Sequence, residues 1–336
     1  MRSTALALLA CAAVACAAAA AGTAPRAGAA GLGSRPQVIG FQEEGDPLAR
    51  INESAPALST VGVDGVNLTA SGAAVTEPDS HARAQLARAH AEHLAAVLLM
   101  GNFDERIEDF NETIAYALLG SEQHIGAVAA QLAAAVTGGG WDGVSVDLES
   151  LLARDSAGLV AFVKALRRDL PSADSVNVDV SNYTRAAQYA ATGYDLAALG
   201  ASADEVTLMA YDQHGPWEPH PGPVGSLSWA RAGLAVVLRS IPASKLDLGV
   251  AGYGYAWRPH EALQVSDAGA RALLASDHAV AHYRAALGEW TARLSDGSTL
   301  WWSDARTFAQ RLELAQAEHL HGLAVWSLGL SDPITR

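Results

Sequence analysis

The chain has 336 residues, a length typical of one large domain or two smaller ones. Half of the residues are hydrophobic, which allows a sizeable core and excludes a chain that is disordered throughout. The 36 acidic side chains outnumber the 22 Lys and Arg side chains, and the net charge is −14. Because phosphate recognition needs clusters of basic residues, and the sequence has none, we expect no binding of nucleic acid.

Residues 1–30 have the pattern of a secretory signal peptide followed by the start of a tether. Arg2 supplies a positive charge, residues 5–21 are almost entirely apolar, and small residues follow. A transmembrane anchor is the second interpretation, because this run is mostly Ala and shorter than the roughly 20 residues that a span needs. The pattern therefore predicts a secreted, extracytoplasmic protein.

Both cysteines of the chain, Cys11 and Cys16, lie in this leader. We therefore expect no disulfide and no thiol chemistry in the mature protein. Cys16 follows Ala13, Val14 and Ala15, a weak match to a lipoprotein cleavage site. Plain secretion is the preferred interpretation, and a lipid on Cys16 is the only contact with a membrane that the sequence suggests.

After the leader, short β-like runs alternate with Ala-rich amphipathic segments. The eight candidate strands are 37–42, 58–63, 94–100, 142–148, 175–180, 205–210, 246–251 and 322–327. Among the candidate helices, 155–170 has apolar residues on one face, behind Asp155 or Ser156 as a cap. Eight such strands over roughly 300 residues predict a (β/α)8 TIM barrel spanning 31–336. An open doubly wound sheet is the alternative, but the Gly-rich run 137–140 precedes a strand, whereas a dinucleotide loop follows one.

The connection between the seventh and eighth strands, about 256–304, is too long for an ordinary loop. It contains helical stretches and an Asp-Gly turn at 295–298 that is typical of a hairpin. We therefore expect a small insertion on the catalytic rim of the barrel.

Two carboxylates follow each other closely at the end of the fourth candidate strand, Asp142-Gly-Val-Ser-Val-Asp-Leu-Glu149. Since side chains alternate along a strand, Ser145, Asp147 and Glu149 would point into the barrel, with Glu149 at the carboxyl end where barrel enzymes keep their chemistry. At a Cα separation of about 6.7 Å, the two carboxylates tend to share a proton, which raises one pKa and suits a general acid. A cap or salt bridge at the barrel rim is the alternative, but burying carboxylates is costly, and that favours function.

Residues 142–149 resemble the catalytic strand signature of glycoside hydrolase family 18, the chitinase family. Further segments resemble that family in the same order, and two of them are similar to its branch of bacterial spore-cortex and cell-wall hydrolases. The segments that resemble the family are 208–212 (Leu-Met-Ala-Tyr-Asp), 301–306 and 324–329. The two segments that are similar to the branch are 221–224 and 249–255. The similarity extends from about Gln37 to Pro333.

The resemblance implies retaining, substrate-assisted hydrolysis of β-linked N-acetylglucosamine polymers, either peptidoglycan or chitin oligomers, with no cofactor and no metal. In such a reaction the acetamido oxygen of the substrate is the nucleophile. By the same resemblance, Glu149 is the general acid/base, Asp147 stabilises the oxazolinium intermediate, and Tyr211 holds the acetamido oxygen. Asp212 would lie in the sugar subsite and Trp326 would form its floor.

Further substrate-binding candidates are Met209, from the same motif as Tyr211, and His214, Tyr255 and Trp257, from the ends of the sixth and seventh strands. Ser145 is also a candidate, and it departs from the family, which has Asp or Asn at this position below Asp147. A serine can donate a hydrogen bond to Asp147 but cannot share a proton with it, so the rate or pH optimum is expected to differ. The alternative function is a lectin-like carbohydrate-binding protein with little or no turnover, and the intact Glu149 argues against it.

Overall fold

Eight parallel strands close into a barrel in the computed structural model, which describes residues 35–258 and 261–335. The barrel strands are Gln37–Gln42, Thr60–Asn67, Ala95–Gly101, Gly143–Asp147, Ser175–Ser181, Glu205–Met209, Leu246–Ala251 and Gly322–Trp326. Each strand pairs with the next one in the chain, and the eighth pairs with the first. This closed order confirms the predicted TIM barrel and excludes the open sheet. The predicted leader, with Cys11 and Cys16, lies outside the described residues.

The fourth strand illustrates how the barrel separates its core from its interior. Val144, Val146 and Leu148 are buried in one apolar cluster with residues of the surrounding helices. Each such side chain contributes about 1.5–3 kcal/mol when fully removed from water. The alternating residues Ser145 and Asp147 are also buried, on the inner face of the barrel. The predicted alternation along this strand is therefore confirmed.

Helices cover the outside of the barrel. They are Ala49–Ser54, Ser80–Ala91, Glu112–Leu119, Glu122–Gly139, Ser156–Asp169, Ala186–Ala191, Leu196–Ser202, Leu227–Val237, Asp267–Asp277 and Ala305–Ala317, with 3-10 turns at Ala153–Asp155 and Ala243–Lys245. None of the helices in these described ranges is long and apolar enough to cross a bilayer.

The predicted side-chain cap of the helix Ser156–Asp169 is wrong. A 3-10 turn precedes this helix, and the Asp155 carboxylate accepts a hydrogen bond from the backbone N–H of Leu152 at 2.7 Å. The apolar face that the spacing predicted is buried as expected, with Leu159, Phe162 and Leu166 in the core.

The insertion between the seventh and eighth barrel strands is a five-stranded antiparallel sheet with one helix. Its strands are Tyr253–Arg258, Glu261–Ser266, His282–Arg284, Glu289–Arg293 and Thr299–Trp302. It begins three residues earlier than predicted, almost directly after the seventh barrel strand ends at Ala251. The predicted hairpin is present, with Gly297 at a φ of +88° in its turn.

A buried carboxylate of the insertion binds a loop of the barrel, and a buried arginine of the barrel binds the same loop. The Glu289 carboxylate accepts hydrogen bonds from the backbone N–H groups of Val224 (2.7 Å) and Gly225 (2.6 Å), in the loop that follows the sixth barrel strand. Arg311, from the helix before the eighth strand, donates to the Gly225 carbonyl oxygen at 2.5 Å. Burial raises the pKa of Glu289 to about 7, although the charge of Arg311 and these hydrogen bonds lower it. The insertion is therefore held by buried polar contacts as well as by apolar packing.

Candidate active site

A cavity of about 300 Å³ opens at the carboxyl ends of the barrel strands, where TIM-barrel enzymes hold their active sites. Six of the predicted site residues line it: Asp147, Glu149, Met209, Tyr211, Asp212 and Trp326. They come from the fourth, sixth and eighth barrel strands or the residues that directly follow them. Closing the barrel thus brings together side chains that lie far apart in the sequence.

Asn102 fixes the backbone of Glu149. Its side-chain oxygen accepts a hydrogen bond from the Glu149 N–H at 2.9 Å, and its amide group donates to the Glu149 carbonyl oxygen at 3.0 Å. Burial, and then the charges of Asp212 and Asp179, raise the pKa of Glu149 to about 7. A carboxyl group with such a pKa can still carry a proton near neutral pH, as a general acid must.

Asp147 lies deeper than Glu149 and is only 7% exposed. Its Oδ1 atom is buried and has no hydrogen-bond partner. Burial raises the pKa of Asp147 well above its usual range, and the nearby charges of Glu149, Asp179 and Asp64 raise it further. No cation is among these influences, so the carboxyl groups of the site increase one another's proton affinity.

Two phenols of the insertion hold Asp212. Its Oδ1 atom accepts hydrogen bonds from the hydroxyls of Tyr253 at 2.6 Å and Tyr255 at 2.9 Å. The backbone of Asp212 is left-handed, with a φ of +59°, an uncommon conformation that such contacts can maintain. Burial raises the pKa of Asp212, whereas these two hydrogen bonds lower it.

Tyr211 reaches the cavity over a glycine of the seventh barrel strand. A Cβ atom at Gly249 would lie 2.9 Å from Cε1 of Tyr211 and 2.7 Å from the Leu208 carbonyl oxygen, so only glycine leaves room there. Burial, and then the charge of Asp179, raise the pKa of Tyr211 well above its usual range. The Tyr211 hydroxyl is therefore a permanent hydrogen-bond donor at physiological pH.

Trp326 ends the eighth strand and supplies a flat apolar surface. Its ring lies 5.6 Å from that of Phe41, centroid to centroid, in an apolar cluster inside the barrel. The next residue, Ser327, follows a cis peptide bond, and its hydroxyl donates to the Glu43 carboxylate at 2.7 Å. An indole in this position suits the C–H face of a sugar ring.

Ser145 and His214 do not line the cavity, contrary to their prediction as substrate-binding residues. Ser145 is buried below it, and its hydroxyl donates to Oδ2 of Asp179 at 3.2 Å, whereas a hydrogen bond to Asp147 was expected. The ring of His214 turns back to its own loop, where Nδ1 lies 2.9 Å from the Pro223 carbonyl oxygen.

Tyr255 and Trp257 do not line the cavity either, and lie behind the residues that do. Both are buried in one cluster, with ring centroids 5.6 Å apart. Tyr255 acts on the site through its hydrogen bond to Asp212, and Trp257 packs against Tyr255. They lie there because the insertion starts at Tyr253 and folds these rings into its own core, and direct contact of either ring with a sugar stays a prediction.

Besides Leu99 and Gly101, five polar or aromatic residues that line the cavity were not predicted from the sequence. They are Glu43, Asp64, Asn67, Phe103 and Phe110. Glu43, Asn67 and Phe103 follow or end the first three barrel strands. Their position at the carboxyl ends of predicted strands could therefore have identified them as candidates. Phe110 pairs with Phe103 in a short two-stranded sheet, Phe103–Asp104 with Asp109–Phe110, which the sequence pattern did not indicate.

At the opposite end of the barrel, a histidine lies between two carboxylates. Nδ1 of His321 is 2.9 Å from Oδ1 of Asp247, and Nε2 is 3.5 Å from Oε1 of Glu205. Burial alone would lower the pKa of His321, but the hydrogen bond and charge of Asp247 and the charge of Glu205 raise it to about 9. Because each ring nitrogen already faces a carboxylate, we interpret this cluster as an ion pair rather than a metal site.

Comparison with known proteins identifies the family. Residues 80–330 match the family described as Glycosyl hydrolases family 18. The chain is 24% identical over 271 residues to the uncharacterized glycosylase YvbX of Bacillus subtilis, covering 73% of this chain and 74% of that protein. A chitinase structure from Chromobacterium violaceum is 27% identical with a TM-score of 0.80, covering 88% of this chain and 95% of the other. The Bacillus cereus spore cortex-lytic enzyme SleL shares the fold at 18% identity, with a TM-score of 0.80, covering 90% of this chain and 73% of the other.

Proposed function

Because this chain belongs to glycosyl hydrolase family 18 and is a glycosidase of chitinase-like type, we propose that it hydrolyses β-linked N-acetylglucosamine polymers with retention of configuration. The observation that carries the proposal is the cavity that Glu149, Asp147, Tyr211 and Trp326 line together. All four side chains belong to the segments that resemble the family's motifs.

In the first step, Glu149 donates its proton to the glycosidic oxygen as the bond between that oxygen and the anomeric carbon breaks. The acetamido oxygen of the same sugar attacks the anomeric carbon, which gives a cyclic oxazolinium ion. Asp147 accepts a hydrogen bond from the acetamido N–H, and its negative charge offsets the positive charge of the ring. The Tyr211 hydroxyl donates to the acetamido oxygen and orients it for attack.

In the second step, a water molecule attacks the anomeric carbon from the side that the leaving group vacated. Glu149, now a carboxylate, takes a proton from this water, and the acetamido group is restored. The enzyme returns to its starting protonation, and the sugar keeps its configuration after two inversions.

The charge of the cleft favours uncharged chains of chitin type over peptidoglycan strands that carry carboxylates. A second cavity of about 380 Å³ adjoins the first and shares Asp64, Asn67 and Phe103 with it. Its lining adds the carboxylates of Glu44 and Glu77, and the described lining of both cavities contains no Lys, Arg or His. Negative groups on a substrate would be repelled there.

Product analysis by mass spectrometry tests the proposal. The purified protein and its Glu149→Gln variant are incubated separately with chitin oligosaccharides and with purified peptidoglycan. We expect fragments with a reducing N-acetylglucosamine end from the chitin oligosaccharides, fewer from peptidoglycan, and none with the variant. Absence of fragments together with measurable oligosaccharide binding would instead make this a lectin-like protein.

The place of action is proposed from the leader pattern alone. The apolar run 5–21 supports export from the cytoplasm, so fractionation should find the protein in the medium. Recovery from the membrane fraction that is lost in a Cys16→Ala variant would indicate a lipid anchor.

A further inference from the structure

The two cavities of the cleft meet at a carboxylate that the proposed reaction does not use. Asp64, on the second barrel strand, lines both the cavity that contains Glu149 and the adjoining one of about 380 Å³. Asn67 and Phe103 also line both. The first cavity holds Oδ1 of Asp147, a buried atom without a hydrogen-bond partner among the described residues, as expected of a cleft that a ligand completes. A sugar chain bound at Glu149 can therefore continue past Asp64 into the second cavity.

An extra residue in the second strand turns Asp64 towards this junction. Asp64 and Val66 pair with two consecutive residues of the third strand, so Gly65 is the additional residue of a β-bulge. Without the bulge, residues 64 and 67 would point to opposite faces of the strand. With it, Asp64 and Asn67 both line the cleft, and bulges beside active sites commonly redirect a side chain in this way.

The carboxylate of Asp64 has no positive partner. Burial, and then the charges of Glu43 and Glu44, raise the pKa of Asp64 to about 6, and none of the groups that act on it is a hydrogen-bond donor or a cation. Further carboxylates line the second cavity, namely Glu77, Asp79, Asp104 and Glu105. Within the described ranges, only Asp104 of these four forms an ion pair, with Arg106. A positive charge bound in the cleft would therefore relieve repulsion among its carboxylates.

The spacing of these carboxylates suits an organic cation better than a metal ion. A metal ion needs ligand atoms that lie close together around it. Among the described residues, three acidic or histidine side chains bring ligand atoms within 4.8 Å of one another only at Glu205, Asp247 and His321, at the opposite end of the barrel. The second cavity has instead the size of a pocket for a small organic ligand. An ammonium group on a sugar can reach Asp64 without a complete set of ligand atoms.

We propose that the second cavity binds a glucosamine unit, the deacetylated form of N-acetylglucosamine, whose ammonium group pairs with the Asp64 carboxylate. The inference rests on the proposed function and deepens it, because it names partly deacetylated chitin as the preferred substrate. The cleaved sugar itself has to keep its acetamido group, since the oxygen of that group is the nucleophile. Selection for glucosamine can therefore act only on a neighbouring unit, and the second cavity adjoins the first.

Oligosaccharide binding to the Glu149→Gln variant tests the ion pair without turnover. Isothermal titration calorimetry compares the tetramer of N-acetylglucosamine with tetramers that carry one glucosamine, each at a different position. We expect at least one glucosamine tetramer to bind about fivefold to tenfold more tightly than the fully acetylated tetramer. This preference should shrink in about 0.5 M NaCl, because salt screens a partly exposed ion pair. Equal or weaker binding of every glucosamine tetramer would overturn the proposal.

Substitution of Asp64 in the Glu149→Gln background identifies the group that selects the ammonium. Asp64→Asn keeps a hydrogen-bond acceptor but removes the charge, so the ratio of the two dissociation constants should fall to about one. A general weakening of binding cancels in this ratio. Asp64→Glu should keep part of the preference, and a preference that survives Asp64→Asn contradicts the assignment. Asp169→Asn is the control, because it removes a surface carboxylate paired with Arg168 and should leave the ratio unchanged.

Hydrolysis of partly deacetylated chitin by the wild-type protein shows whether the preference acts in turnover. Mass spectrometry determines which units near the two new chain ends are acetylated. We expect N-acetylglucosamine at every new reducing end. Glucosamine should be enriched about threefold over its share of the polymer at a unit beside the cleaved sugar. A random distribution there would overturn the preferred substrate.

Two further outcomes separate the source of glucosamine and the two proposals. Peptidoglycan with deacetylated glucosamine units should give fewer fragments, because its muramic units keep their carboxylates, and more fragments from it would overturn chitin as the source. If the wild-type protein cleaves none of these polymers but the tetramer preference depends on Asp64, the proposed function fails and the ammonium site stands. Cleavage without the tetramer preference leaves the proposed function intact and removes the ammonium site.

Discussion

The two ends of the barrel contain carboxylates in opposite surroundings. At the amino ends of the strands, Asp247 and Glu205 lie on either side of the His321 ring. At the carboxyl ends, Asp147 and Glu149 face other carboxylates, and no cation is among the groups that shift their pKa. Burial and the charge of Asp247 raise the pKa of Glu205 to about 7 although the charge of His321 lowers it, so the two ends differ in whether a cation faces the carboxylates.

This difference separates a stabilising cluster from a reactive one. A protonated histidine between carboxylates stabilises the folded state, whereas clustered carboxyl groups retain protons and reduce stability once they ionise. The carboxyl groups at the carboxyl end therefore lower the free energy of unfolding, and interactions in the rest of the barrel compensate for this loss, as expected for a catalytic site. Variants at the two ends should accordingly change different properties of the protein.

The largest effect is expected from Glu149→Gln at the carboxyl end. Loss of the general acid should reduce kcat on chitin oligosaccharides by on the order of 10²–10⁴. The folded pKa of Glu149 is raised, so its ionisation destabilises the fold as pH increases from its unfolded value through about 7. The variant should therefore be as stable as wild type near pH 4.5 and more stable at pH 8, which thermal unfolding at both pH values measures. A Glu149→Gln variant that is less stable than wild type at pH 8 would contradict the conclusion that ionised Glu149 destabilises the fold.

Tyr211→Phe should have the next largest effect. It removes one hydroxyl, and loss of a single donor to a developing charge costs about 10²-fold in kcat. The ring and its packing beside Tyr253 remain, so the melting temperature should stay within a degree or two of wild type. Steady-state kinetics and calorimetry test both statements. An unfolded variant would show that the hydroxyl is structural.

At the amino end, His321→Ala should destabilise the protein and leave its chemistry intact. The change leaves Asp247 fully buried without its partner, a loss of about 3 kcal/mol in the free energy of unfolding. The kcat of the folded fraction should equal that of wild type. His90→Ala is the matched control, because His90 also pairs with an aspartate, Asp142, but lies half exposed, so its removal should cost less than about 1 kcal/mol.

The stability difference between wild type and His321→Ala should also depend on pH. The folded pKa of His321, about 9, is higher than the unfolded value. Its contribution is thus fully present below about pH 6.5 and is lost as pH rises through about 9. Denaturant unfolding at pH 6 and pH 10 should show the difference shrinking. A constant difference would mean that packing, rather than charge, accounts for it.

The alkaline limb of wild-type activity tests the carboxyl end without any substitution. Glu149 has to be protonated to donate, and its pKa is about 7. Above that pH, kcat/KM should fall by about tenfold per unit. Initial rates between pH 5 and pH 9 measure the limb, and a plateau that continues to pH 9 would exclude Glu149 as the group that titrates.

Local sequence patterns predicted most of the barrel because strand period and motif order are local properties. The alternation in 142–149 placed Asp147 and Glu149 correctly, and the candidate strands 37–42 and 246–251 match the observed bounds. The second strand was placed too early, since it runs from Thr60 to Asn67 and its end, Asn67, lines the cavity.

Contacts between distant segments could not be read from the sequence. Asp179 alternates with valines and looked like any strand residue, because its proximity to Asp147 depends on the register of two strands. Asn102 clamps Glu149 from another strand end, and Tyr255 turned towards Asp212 rather than towards the cavity. Each of these contacts follows from closure of the barrel or from the fold of the insertion, which no single stretch of sequence encodes.

The two phenols that hold Asp212 make the insertion difficult to exchange. Tyr253 and Tyr255 belong to the first strand of the insertion, while Glu289 of the same sheet holds the loop that follows Asp212. Replacing residues 253–302 with a short linker would therefore release a subsite carboxylate and leave two backbone N–H groups without acceptors. An engineer who grafts another rim onto this barrel has to supply equivalent phenols and an equivalent carboxylate, and natural variation that keeps Asp212 is expected to conserve them together.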